Sequence, residues 1–173
     1  MILVKADLIR KLMDAKKYIS NDLIDEGVKI ISDVIKSSSK EEYNWFICNV
    51  LDVVKCKYMF EVLDKIGSYF DLSRCQNISN IVECGIENNV SNNYVNLALD
   101  LLVTQNKRDK LKELGKIALK NNEIKIELLV AIANSLKRVG AERDAAELLI
   151  EACKKGDQQA CNSVNAVTAR SIM

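Results

Sequence analysis

The sequence predicts an all-α fold of stacked helical hairpins, and three observations carry that expectation. Apolar residues recur at helical rather than alternating spacing almost from end to end. The breaks between the apolar stripes are short and polar. Alternate helices are expected to begin near Lys5, Ser39, Ser73, Lys107 and Ala141, which stand 34 residues apart each time. A fixed period of about 20 to 50 residues marks a stacked-repeat architecture. At this period each unit holds two helices and two short loops, so the expected fold is an α-α superhelix, an α-hairpin solenoid of about ten helices.

Each element has its own signal. Leu8, Ile9, Leu12 and Met13 make a first helical stripe, bounded by Ser20 and Asn21. Leu23, Ile24, Val28, Ile31, Val34 and Ile35 make a second, ended by Ser37, Ser38 and Ser39. Ser39 followed by Glu42 has the capping-box spacing and opens the next helix. A weak break lies at Lys55-Cys56-Lys57, and clearer ones at Asp71-Leu72-Ser73 and across Asn88 to Asn93. Further breaks fall at Gln105-Asn106, Asn121-Asn122, Gly140 and Gly156-Asp157. The resulting register is one domain over 1–173. A first helix spans about 3–19, four two-helix units span about 22–57, 58–91, 92–125 and 126–156, and a closing helix spans about 157–172.

Composition bounds the chemistry. The chain has 173 residues, 49% apolar and 28% charged, with a net charge of +1, which places it among globular domains. The opening apolar run is four residues long before Lys5, too short for a secretory core or a membrane span, so a cytoplasmic protein without membrane contact is expected. There is no His, which removes the commonest general base and metal ligand. No C-x-x-C pair, Gly-rich phosphate loop or G-x-S-x-G occurs. The expectation is therefore a non-enzymatic protein with no cofactor and no metal. Six Cys in such a setting are expected to be reduced, buried thiols.

A family resemblance lies in ELLVAIANSLKRVGAERDAAELLIEACKKG. Leu129, Ile132, Ala133 and Leu136 precede Gly140 at a turn, and Ala145, Leu149 and Ala152 follow it. The spacing resembles the tetratricopeptide repeat. Small residues there let two helices approach closely, and the glycine ends the first helix in a left-handed conformation. Earlier units match loosely, through Val28, Ile31, Ser32 and Ile35; Leu63, Ile66, Gly67 and Phe70; and Val95, Ala98, Leu99 and Leu102. The resemblance implies a right-handed superhelix whose first helices line a concave groove. The groove candidates are Glu61, Asp64, Ser68 and Asp71; then Asn93, Asn96 and Asp100; then Glu127, Asn134, Lys137 and Arg138. Charge along them runs from acidic to basic. Peptide-binding members of that family hold a C-terminal carboxylate with Asn and Lys or Arg, a role open to Asn134, Lys137 and Arg138. A cysteine-rich class of related repeats bridges its inter-helix turn with a disulfide, and Cys153 and Cys161 straddle the Gly156 turn in a similar way.

The expected function is a scaffold that binds a protein or peptide in this groove, with self-association through the apolar first helix also open. The alternative is an RNA-binding helical repeat, for which Lys107, Arg108, Lys110, Lys112 and Lys116 form a local basic run. The near-zero net charge and 5% aromatic content argue against it.

Overall fold

In the computed structural model, residues 5–67 and 70–172 are described, with the backbone alone for 166–172. Among them the chain forms ten α-helices and no strand: α1 Ala6–Ser20, α2 Ile24–Ser37, α3 Lys40–Leu51, α4 Cys56–Ile66, α5 Ser79–Asn88, α6 Asn93–Thr104, α7 Arg108–Leu119, α8 Ile126–Arg138, α9 Glu142–Lys154 and α10 Gln158–Ile172. No described helix is long and apolar enough to cross a membrane. The all-α expectation holds, with helices somewhat shorter than the stripes suggested.

Four of the five expected starts sit at helix N-caps: Lys5, Ser39, Lys107 and Ala141. At Ser39 the capping box is complete, with the Glu42 N–H donating to Ser39 Oγ and the Ser39 N–H to Glu42 Oε1. The fifth start is corrected. Ser73 lies inside a 3-10 turn, Leu72–Arg74, and α5 begins at Ser79. The cause is local: the Asp71 carboxylate accepts the Ser73 N–H at 3.0 Å and the Ser73 hydroxyl at 2.6 Å. Such an Asx turn offers the backbone an alternative to the helix.

Helix ends show why short polar breaks suffice. In five turns an N–H reaches back five residues: Leu23 to Tyr18, Val90 to Gly85, Lys107 to Leu102, Ala141 to Leu136 and Asp157 to Ala152. Each turn passes through a left-handed residue, Asp22, Asn89, Asn106, Gly140 or Gly156. This is the Schellman closure, which satisfies otherwise orphaned carbonyls. Asn, Asp and Gly are the residues that tolerate that backbone.

The chain forms two compact units, 1–80 and 81–173. The first holds α1 to α4 around Ala15, Ile19, Val34, Phe46, Val50 and Val62, all fully buried. The second holds α6 to α10 and most of α5 around Val95, Leu111, Leu128, Ile132, Ala145 and Ala152, also fully buried. Removing each large side chain from water contributes about 1.5–3 kcal/mol. Ala133, Ala145 and Ala152 are without exposed surface where α8 packs on α9, as their small size suggested.

Within each unit, polar side chains join one turn to the equivalent turn further on. Lys55 Nζ donates to Asp22 at 2.9 Å, 33 residues away. Asn89 Nδ2 donates to the Glu123 carbonyl, 34 residues on, and Lys155 Nζ to the Asn122 carbonyl, 33 residues away. These ties link turns that stand 33 or 34 residues apart in the chain.

The expected reduced thiols are corrected. Cys48 is bonded to Cys75 and Cys153 to Cys161, with Cα separations of 5.1 Å and 4.6 Å. The second pair is the one expected as spatial neighbours across the Gly156 turn. Both separations lie inside the range a disulfide requires.

Candidate functional site

The second unit brings four of the expected groove residues together. Asn96 and Asp100 stand one helical turn apart on α6, and Asn134 and Arg138 one turn apart on α8. Two tie points show that α6 and α8 run in the same direction. Near their starts, Asn89, just before α6, donates to the Glu123 carbonyl and accepts the Lys125 N–H at 2.8 Å, just before α8. Near their ends, Arg138 Nη1 meets Asp100 Oδ1 at 2.8 Å. A cavity of about 230 Å³ lies between the helices, lined by Asn96, Leu99, Asp100, Ala131, Asn134, Ser135 and Arg138.

Its chemistry follows from its walls. Leu99 and Ser135 are buried and form the floor, with the Ser135 hydroxyl donating to the Ala131 carbonyl at 3.1 Å. Asn96 and Asn134 are exposed. A side-chain amide offers one acceptor and two donors, the complement of a peptide group. Arg138 is engaged by Asp100, so its guanidinium is not a free carboxylate clamp, and Lys137 is half-buried and does not line the cavity. Asn93 and Glu127 are exposed in the first turns of α6 and α8, outside the cavity lining.

The remaining candidates lie in the first unit. Glu61 on α4 pairs with Lys65 at 3.2 Å, and Lys65 also meets Asp25 at 2.5 Å. Hydrogen bonds to Asp25 and then Glu61 raise the Lys65 pKa above its ordinary value. Asp64 is exposed on α4, and Asp71 caps the 3-10 turn. Ser68 lies outside the described residues.

The sequence reading missed a second constellation. From Asp71 to Ile78, through the 3-10 turn, the chain runs as a strap along α3, held at three points. Asn44 Oδ1 accepts the Asp71 N–H at 3.0 Å, Cys48 bonds to Cys75, and Asp52 Oδ1 accepts Asn77 Nδ2 at 2.9 Å. Asn44, Cys48 and Asp52 are four residues apart, one stripe of the helix. A cavity of about 320 Å³ opens between α3 and the strap, lined by Glu41, Asn44, Trp45, Cys48, Asn49, Asp52, Arg74 and Gln76. Asn44 is 1% exposed, and its Nδ2 has no hydrogen-bond partner. The Asp71 N–H needs an acceptor, which fixes Oδ1 toward the strap and leaves the amide nitrogen as the orphan. Such a buried donor costs about 1–3 kcal/mol if left unmatched. The signals for this site were an Asn within an apolar helix, the one Trp, and a strap that displaces the helix start expected near Ser73.

A metal centre has no counterpart in this geometry: among the described residues no group of three or more Cys, Asp or Glu is placed to hold an ion.

Comparison with known proteins bears on the family. A family model described as a domain of unknown function, DUF1955, matches residues 7–167. This overturns the resemblance to the tetratricopeptide repeat. Small residues at a close helix crossing and a glycine at the following turn are what any tight α-hairpin needs, so the pattern at 126–156 does not single out that family. The crystal structure of a hypothetical protein from the hyperthermophilic archaeon Sulfolobus tokodaii is 62% identical, with a TM-score of 0.86, and the match covers 92% of this chain and 99% of that one. No curated protein matches the chain.

Proposed function

We propose, for a chain that belongs to the DUF1955 family of unknown function, a non-catalytic binding role in which an extended peptide segment of a partner protein lies along the groove between α6 and α8. The observation that carries the reading is the pair of facing rows, Asn96 with Asp100 and Asn134 with Arg138, on helices that run the same way. Two amides on opposite walls match successive peptide groups of an extended segment. The Asp100–Arg138 pair leaves the groove close to electrically neutral at that point, which suits a peptide better than a polyanion. The basic run on α7 supports the RNA alternative less well, because Lys110 faces Glu113 at 3.6 Å and Lys112 faces Asp144 at 3.8 Å.

Selection from a displayed random-peptide library tests the reading, with wild type and an Asn96→Ala/Asn134→Ala variant run side by side. Peptides enriched on wild type should bind the variant at least about tenfold more weakly. Equal affinity for both proteins would refute the groove assignment. Steeply salt-dependent binding of labelled single-stranded RNA, with no enriched peptide, would favour the RNA alternative instead.

A further inference from the structure

We propose that the cavity between α3 and the strap is a binding site for a small organic cation that also carries a neutral carbonyl acceptor. The site lies in the first unit and is independent of the peptide groove. Its volume of about 320 Å³ falls within the size of known small-molecule pockets, about 300–1,000 Å³.

The two ends of the cavity ask for different chemistry. At one end is Asn44, whose Nδ2 points a donor at nothing in the protein. An acceptor atom of a ligand completes it. Arg74 is already drawn to Asp71 at 3.8 Å, and the Glu41 carboxylate lies one turn before Asn44, so this end has no unpaired cation to receive an anion. A neutral acceptor such as an amide or ketone carbonyl therefore fits better than a carboxylate, which Glu41 would repel. At the other end is Asp52, eight residues along the helix and so about 12 Å further along its axis. Its carboxylate holds Asn77, and no cation pairs with it among the described residues. The charged lining residues, Glu41, Asp52 and Arg74, carry a net charge of minus one, which a monocation neutralises. Between the ends lie the half-buried indole of Trp45 and the Cys48–Cys75 disulfide, an apolar and polarisable surface suited to a short alkyl chain, and the indole also attracts cations.

The strap makes this a built site. Its three fastenings hold Arg74 and Gln76 over the outer face of α3. Regular repetition would have placed a helix start there, with no such wall.

Trp45 is the only Trp in the chain, so fluorescence excited at the red edge, where the five Tyr do not absorb, reports on this cavity. The probe is 6-aminohexanamide, which joins an ammonium group to an amide carbonyl through a short alkyl chain. Hexylamine and hexanamide, each with one of the two groups, are the controls. The expected result is a saturable fluorescence change with 6-aminohexanamide at least about tenfold tighter than with either control. The Asn44 side-chain amide protons should shift in the NMR spectrum with 6-aminohexanamide and not with hexylamine. Asp52→Asn keeps an oxygen for Asn77 and should weaken binding about tenfold. Equal affinities for the three compounds, no saturable change with any of them, or unchanged affinity in Asp52→Asn would each overturn the proposal.

Discussion

Replacing Gly85 with alanine sets two opposing effects against each other, and the structure decides the sign. Gly85 lies inside α5, where alanine is favoured over glycine by about 1 kcal/mol. A Cβ there would stand 2.7 Å from Val95 Cγ2 and 3.1 Å from the Val90 carbonyl oxygen. Val95 is fully buried and β-branched, so it has few other rotamers. The Val90 oxygen is backbone, in a turn closed by the Val90 N–H to Gly85 carbonyl bond at 2.8 Å. Overpacking of this kind costs about 1–3 kcal/mol. Because neither neighbour can turn aside, the cost falls in the upper part of that range, about 2–3 kcal/mol, and subtracting the helical preference leaves a loss of about 1–2 kcal/mol, or a melting temperature lower by roughly 2–8 °C for a chain of this size. Gly115→Ala is the internal control. Its Cβ would meet the tips of Leu148 and Leu136 at 3.2 Å and 3.3 Å, and leucine tips can turn aside. Here the helical preference should offset the crowding to within about 0.5 kcal/mol. Guanidinium unfolding with unchanged m-values gives both numbers. A Gly85→Ala protein as stable as wild type, or less affected than Gly115→Ala, would refute the close approach of α5 to α6.

Four further outcomes are expected. Ala145→Leu should overpack the α8–α9 crossing and lower stability by about 1–3 kcal/mol, as read from a thermal melt. Cys48→Ser/Cys75→Ser, which opens a 27-residue span, should cost about 3–4 kcal/mol in chemical denaturation, more than the about 2–3 kcal/mol for Cys153→Ser/Cys161→Ser, which opens an eight-residue span. The Asp71 pKa is lowered, first by its hydrogen bonds from Ser73 and then by Arg74 and Lys40. A depressed carboxylate contributes stability above its unfolded pKa and loses it as pH falls through the folded one, so stability should decline below about pH 4, and the decline should be shallower in Asp71→Asn. Arg138→Ala removes only an exposed ion pair, so its stability should change by no more than about 1 kcal/mol while binding in the α6–α8 groove falls.

Local signals carried the sequence reading a long way. The helical stripes, the Ser39 capping box and the Asn, Asp and Gly residues of the left-handed turns are local in origin, because a helix and its ends are decided by residues within one or two turns. Four of the five starts expected at 34-residue spacing were legible for the same reason, and the fifth, Ser73, was not. Four residues that line the α6–α8 cavity could be named on similar grounds, because i, i+4 spacing places Asn96 with Asp100 and Asn134 with Arg138 on one face of each helix.

Tertiary structure alone decided what depends on distance between segments. That Arg138 is neutralised by Asp100, 38 residues away, could not be read from either helix. Nor could the disulfide partner of Cys48, since six cysteines allow fifteen pairings and sequence does not choose among them. The strap is the sharpest case. Asp71 and Ser73 look like one more helix start, and only the folded chain shows the Asp71 N–H donating to Asn44 Oδ1 while the Asp71 carboxylate accepts from Ser73. The turn of Asp71 onto Ser73 is local, but the bond from the Asp71 N–H to Asn44, 27 residues away, and the Cys48–Cys75 bond exist only where two segments meet in space, and no local preference records that meeting.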